Sequence, residues 1–560
     1  MPPTPLHAAF SEFFRTRRYV VALVCALALT AFVGPFLAWT DRSTCSEGTV
    51  ETPCPQAPRT PDGRSVTDAF TFAHRTLHGD GSMTARLSSF TGTITYPPPR
   101  HDRIVSGLVP WAKAGLLVKA SLEPGAPYAA VMLTGNHGVR FQHSFTADEP
   151  GSPSPAELPR WLRLTRSGDL LTAEESPDGR TWHPVGSARL PGLPDDVPIG
   201  LFTTSPGDLT VVPRSFGPAT TQVRFTQAVG LFDSVTTSGD LTRTWTATQV
   251  GGAGAVTDWE RRTNPPGLVE SPAALKVSGS GDIAPTPTEA GRRLESLLTG
   301  ALPALLVLIG AAAAFTSRPA PSPAEPPARS EGSPTARPAA SGVSLEGPFP
   351  AMTPESLAPA GHAPARPGGI APGGSPAAHA GGTGTGAVRA RLRARAAVLG
   401  AVGAAVGLLG GAAAVWAGPG IARGTAMVAV PVGTEARVVV GCAMVCAAAA
   451  VLAGCLAVLL GGGWRGAAAG AALLPLPYAL ATTGVLPAGA ASWLLRVTPA
   501  AGMAAQQSLP PYPQVTALYS PANGYLPLAP WAGLAVLLAF TGLALGLALR
   551  AARRGASGAA

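Results

Sequence analysis

The sequence predicts an α-helical polytopic membrane protein of about six transmembrane helices, with an all-β antiparallel sandwich domain inserted after the first of them. Three observations carry this. Uncharged apolar runs long enough to cross a bilayer recur along the chain. Arginines cluster beside those runs. One long stretch instead alternates apolar and polar residues between turn signals. Composition agrees, because only 13% of the 560 residues are charged, against about 25% in soluble domains. The mean hydropathy is +0.23.

Residues 1–18 are expected to form a cytoplasmic amphipathic helix with Leu6, Phe10, Phe13 and Phe14 on one face. Such a helix can lie in the membrane interface; on pattern alone it could equally extend the first span. Residues 19–39 form that span. Arg15, Arg17 and Arg18 precede it and no A-x-A site follows, which reads as an uncleaved signal-anchor with its N-terminus inside.

Residues 40–293 read as an extracellular region, with the sandwich over about 66–240. Segments such as 82–90, 114–120, 128–134, 139–145 and 160–166 alternate with period two. Asp178-Gly179 marks a hairpin turn. Cys45 and Cys54 lie in a polar, Pro-rich stretch just past the first span and are a candidate disulfide if that side is oxidising. Cys25, Cys442, Cys446 and Cys455 sit in apolar runs, where a thiol packs as a small hydrophobe.

The second span is placed at 294–315, followed by a Pro/Ala/Gly-rich cytoplasmic linker, 316–387, too poor in apolar surface to fold. Further spans are expected at 388–416, 438–460, 467–486 and 528–549, with an extracellular loop at 487–527 and a cytoplasmic tail at 550–560. The resulting topology puts the arginines at 15–18, 389–395, 465 and 550–554 on the cytoplasmic side. The net charge of +9 is thereby accounted for without nucleic acid, for which no aromatic-interleaved basic stripe exists. The setting is a plasma membrane with both termini cytoplasmic.

No enzyme is expected. The chain has no G-x-x-x-x-G-K-[ST] loop, and its lysines are Lys113, Lys119 and Lys276, outside any Gly-rich phosphate loop. Glu174 and Glu175 are neighbours on an expected strand, so they point to opposite faces, a poor geometry for paired-carboxylate hydrolysis. The histidines lack metal-ligand spacing, and neither metal nor cofactor is expected. Trp111, Trp161 and Trp182 are candidate ligand-binding aromatics for a surface glycan, with core packing as the favoured alternative. The spans lack Asp, Glu and Lys at their centres, which disfavours a proton-coupled transporter or channel.

Two stretches carry family resemblances. Residues 109–206 hold W-x-K-x-G (Trp111, Lys113, Gly115), W-L-R-L (from Trp161) and S-x-D-G-x-x-W (Ser176, Asp178, Gly179, Trp182). They resemble concanavalin A-like/laminin-G-like sandwich domains, which commonly bind carbohydrates or surfaces. Residues 6–23, 492–514 and 519–537 resemble permease subunits of actinobacterial type-2 ABC exporters.

That second resemblance implies six spans, a separate ATPase subunit, and pairing as a homodimer or with a second permease. It also assigns Leu6, Phe10, Phe13, Phe14 and Arg15 to ATPase coupling. The family's coupling helix between spans two and three is replaced here by the Pro/Ala/Gly linker. Coupling then passes through the N-terminal helix and Arg389–Arg395, or active transport has been lost. The expected function is the permease half of an ATP-driven exporter. The alternative is a membrane-anchored surface-binding or sensory protein.

Overall fold

The computed structural model describes residues 4–557 except 41–43, 48–49, 54–55, 97–99, 101, 156, 213–219, 253–261, 264, 288–290, 319–380 and 423–426. Most of the linker therefore lies outside the described residues, as does Cys54 with the disulfide expected of it. Helices α1 (Pro5–Arg15), α2 (Arg17–Thr40), α3 (Ala301–Thr316), α4 (Gly381–Ala412), α5 (Val432–Leu459), α6 (Gly463–Leu473), α7 (Pro475–Thr482), α8 (Ala488–Val497) and α9 (Pro530–Ser557) build one bundle. Among the described residues, five helical stretches are long and apolar enough to cross a membrane: Arg17–Thr40, Leu294–Thr316, Gly386–Ile421, Val432–Leu459 and Pro530–Ala552. The β-domain lies in the chain between the first two.

The expected span at 467–486 is not one helix. It is α6 and α7, broken at Leu474, whose backbone leaves the helical region (φ −121°, ψ −71°). Pro475 and Pro477 explain the break, since each removes an N–H from the helical ladder and crowds the preceding turn. Neither half is a membrane-length helix.

Helix α5 is central and the most buried of the long helices. Helix α4 lies against it through glycine: a Cβ on Gly403 or Gly407 would stand 2.5 Å from the carbonyl oxygen of Cys446 or Cys442, respectively. Small residues at this i, i+4 spacing let two backbones touch where lipid offers no hydrophobic drive.

In the β-domain, β1 (Val66–Asp68) leads into β2 (Phe70–Thr95), a single strand of 26 residues. Its first part pairs with β9 (Asp196–Thr204), continuing through β3 (Lys113–Lys119), β4 (Tyr128–Thr134) and β5 (Val139–His143). Its later part pairs with β6 (Arg160–Ser167), continuing through β7 (Leu170–Ser176) and β8 (His183–Arg189). Along the other edge of β2 runs β10 (Thr220–Leu241), backed by β11 (Ala274–Gly279). All pairings are antiparallel.

The two wings fold face to face, and Leu162, Leu164 and Leu171 meet Leu116, Val131 and Phe141 in one core. Strands β3 and β4 are buried along their whole length, because a second core of Phe70, Phe72, Tyr128, Met132 and Phe145 covers their other face. The expected segments at 114–120, 128–134, 139–145 and 160–166 and the Asp178-Gly179 hairpin are all strands or turns of this sheet. Strands run past residue 240 to β12 (Ile283–Pro285), which pairs with β1 and brings the domain's entry and exit together.

Candidate functional site

Helix α1 is held by its buried side. Phe13, 2% exposed, stacks on Tyr19 at 5.3 Å and meets the edge of Phe315 at 5.3 Å. Arg395 Nη2 donates to both oxygens of Glu12 at 2.9 and 3.2 Å, while Nη1 donates to the carbonyls of Thr316 and Arg318, both at 3.1 Å. Arg395 therefore ties α1, the end of α3 and α4 into one unit. The apolar face expected from sequence is divided. Phe13 points into the bundle, whereas Leu6 and Phe10 are 53% and 54% exposed, and Phe14 and Arg15 lie outward with them.

Replacing Arg395 with alanine is expected to free α1. The charge-assisted hydrogen bonds are worth about 2 kcal/mol together, so amide exchange across Pro5–Arg15 should quicken about thirtyfold in hydrogen-exchange mass spectrometry. Unchanged exchange would mean Phe13 alone anchors the helix.

At the opposite end the β-domain is bonded to the bundle's connecting segments. Ser65 N donates to Ala429 O at 2.9 Å, and Ala429 N donates to Ser65 Oγ at 2.7 Å. Arg64 Nη1 donates to the Tyr512 hydroxyl at 2.7 Å, and Gln514 Nε2 donates to Thr146 O at 3.2 Å. Burial raises the Tyr512 phenol above its ordinary pKa, with the Arg64 cation opposing. Contacts at both edges fix the domain over the bundle rather than leaving it on a tether.

One cavity lies at this junction, and a second lies beside it within the bundle and its connecting segments. The first, of about 590 Å³, is lined by Arg64, Arg437, Tyr512 and Trp531 among others. The other, of about 250 Å³, lies between Arg293, Glu295, Tyr478, Thr482 and Gln506. Gln507 and Leu526 line both. Glu295 Oε2 accepts from Ser508 N at 3.2 Å and from Ser508 Oγ, and Arg293 Nη1 stands 3.7 Å from Oε1. Arg437 Nη2 donates to Gln507 O at 2.6 Å. Gly524, with φ +87°, brings its backbone against the Arg293 guanidinium, where a Cβ would collide.

Sequence reasoning missed this cluster. Arg293 and Glu295 sit at the boundary of a span, and Gln506, Gln507 and Ser508 lie in what reads as a loop. The available signal was the polar Q-Q-S run inside an otherwise apolar connection.

The aromatic candidates separate. Trp111 is buried and stacked on His137 at 3.8 Å, which is a packing role. Trp161 and Trp182 are half-buried on the outer face of β6–β8; the Arg163 guanidinium lies over Trp182 at 3.7 Å and pairs with Glu174 at 3.2 Å. Glu175 points to the other face and pairs with Arg160 at 3.5 Å. At the hairpin, Asp178 accepts from the backbone N–H groups of Thr181 and Arg180, each at 2.8 Å. These donors, first Thr181 and then Arg180, hold its pKa down at about 2. Among the described residues no group of three His, Cys, Asp or Glu could hold a metal.

No protein-family model matches the sequence. No curated protein matches it. Among solved structures, a functionally unknown protein from Saccharomyces cerevisiae is similar over 31% of this chain and 72% of that one, at 15% identity and a TM-score of 0.17.

Proposed function

We propose that this chain is the permease subunit of an ATP-driven exporter, drawing hydrolysis from a separate ATPase and pairing with a second copy or a second permease. The observation that carries this reading is the construction of α1. Its exposed stripe of Leu6, Phe10 and Phe14 faces away from the bundle, while Arg395 ties its other side to α3 and α4. A partner pressing on the stripe would move α4, and α4 meets α5 backbone to backbone at Gly403 and Gly407. Binding energy at the stripe can thus bias the arrangement of the central helices, as a coupled transporter requires. The resemblance of residues 6–23, 492–514 and 519–537 to type-2 exporter permeases supports the same reading.

The test is co-purification of the chain in detergent with candidate ATPase subunits from the same genome, followed by ATPase assays in lipid. Stoichiometric association is expected, and Phe10→Asp should abolish it without loosening α1, because Phe10 makes no part of the buried anchor. Failure to associate with any candidate ATPase would favour the alternative, a membrane-anchored protein whose β-domain binds a surface ligand.

A further inference from the structure

A third cavity opens at the end of the bundle where α1 is anchored. It measures about 450 Å³ and lies between the start of α2, the end of α3 and the start of α6. Arg18, Gly310, Ala314, Arg318, Trp464 and Ala467 are among its lining residues. Its two cations are held in place by the chain itself. Both guanidiniums lie over the ring of the buried Tyr19, Arg18 at 5.0 Å and Arg318 at 4.9 Å. Arg18 Nη2 also donates to the Tyr19 hydroxyl at 3.1 Å, and Arg318 Nη1 donates to Thr16 Oγ1 at 3.1 Å. Arg18 is exposed and Arg318 half-buried, so both stay within reach of a ligand. The remainder of the lining is apolar. A Cβ on Gly310 would meet nothing within 4 Å, Ala314 and Ala467 continue that small-residue wall, and Trp464 beside it is 74% exposed.

We infer that this cavity holds one glycerophospholipid of net negative charge, with its phosphate at Arg18 and Arg318 and the start of one acyl chain along Gly310, Ala314 and Ala467. Charge fixes the sign of the headgroup. Glu12 is the only acidic residue within residues 1–40, and both its oxygens are taken by Arg395. Arg15, Arg17 and Arg465 add positive charge on the flanking segments. The choline of a zwitterionic lipid would bring an ammonium group into this field, whereas an anionic headgroup brings none. Arginine forks match phosphate oxygens in geometry, and two of them pre-set on one ring lose little freedom on binding. The apolar wall fixes the source of the phosphate, because a free anion makes no use of the Gly310 groove. An exposed tryptophan at headgroup depth is the usual companion of such a site. The bound lipid would join α2, α3 and α6 beside the Arg395 tie, so membrane composition would act on how firmly α1 is seated.

This inference goes beyond the exporter reading and is tested without an ATPase. The full chain in detergent is titrated with phosphatidylglycerol and with phosphatidylcholine of the same acyl chains, and bound lipid is counted by native mass spectrometry, with thermal unfolding as a second readout. Phosphatidylglycerol should bind about tenfold more tightly, as two arginines at a headgroup imply. The double variant Arg18→Gln, Arg318→Gln should bring the two lipids to within about twofold of each other. Arg15→Gln with Arg17→Gln removes the same charge from the exposed side and should leave most of the preference in place. Gly310→Leu should weaken both lipids by filling the groove, while leaving lipid-free thermal unfolding unchanged or raised, since leucine is the better helix former and nothing crowds it. Equal binding of the two lipids, or equal loss of preference in the two arginine double variants, would overturn the site and leave a diffuse surface charge. Protection by inorganic phosphate or glycerol phosphate equal to that by phosphatidylglycerol, undiminished by Gly310→Leu, would overturn the lipid assignment. None of these outcomes depends on ATPase association, so the two readings fail separately.

Discussion

Lys119→Ala is expected to destabilise the β-domain by about 3–5 kcal/mol. Lys119 and Asp68 are both 0% exposed at their side chains, with Nζ 2.7 Å from Oδ2. Nζ also donates to Ala126 O at 2.9 Å, and Gly125 N donates to the same Asp68 oxygen at 2.7 Å. Removing the amine would strand a carboxylate in the second core with only one donor left. Burial lowers the Lys119 pKa below that of an ordinary lysine, with Asp68 opposing, which is the signature of a charge held out of water by its partner.

The comparison that isolates the cause is the double variant Lys119→Met, Asp68→Leu. Replacing both charges by apolar groups should recover most of the loss. Denaturant unfolding of the chain in detergent, followed by near-ultraviolet circular dichroism, reads both. If Lys119→Ala changes stability by less than about 1 kcal/mol, the buried carboxylate has found water and the description of this core is wrong.

Gly407→Ala is expected to cost about 1–3 kcal/mol, although alanine is the better helix former. The added Cβ would stand 2.5 Å from Cys442 O and 2.6 Å from the Ala443 Cα, contacts that only separation of α4 from α5 can relieve. Gly400→Ala, on the same helix, supplies the control, because its Cβ would meet nothing nearer than a Val451 methyl at 3.5 Å. That change should be neutral, or stabilising by up to about 1 kcal/mol. Thermal unfolding of both variants in one lipid composition should show a clear drop for Gly407→Ala only. Equal behaviour would mean that the α4–α5 seam is not packed at backbone contact.

The features legible in the sequence were those with local causes. Uncharged runs gave α2, α3 and α5, and period-two alternation gave β6, because burial on one side writes itself into neighbouring residues. Asp178-Gly179 gave the β7–β8 hairpin through turn chemistry alone. The break at Leu474 was written in Pro475 and Pro477, yet the apolar run around them outweighed that signal.

Of β2 only residues 82–90 stood out by alternation; the strand runs on through Gly79, Asp80 and Gly81, with β9 pairing before them and β6 from Gly81 onward. Lys113 and Lys119 read as polar strand positions. Their burial depends on Asp282 and Asp68, which a linear pattern does not connect to them. The junction had the same difficulty, for Arg64 meets Tyr512 and Ser65 meets Ala429 across most of the chain.

The long strand β2 also sets a timetable for biogenesis. Its partners come late: Leu77 pairs with Leu241, Thr95 with Phe225, and the β1–β12 closure waits for Ile283. During synthesis the first apolar helix and all 26 residues of β2 emerge while both edges of that strand are still bare. Non-local pairing of this kind forms slowly and leaves sticky intermediates. The nascent chain therefore needs shielding until residue 285 has emerged, and a ribosome stalled before β10 would release a product with an open β edge already tethered by its first helix.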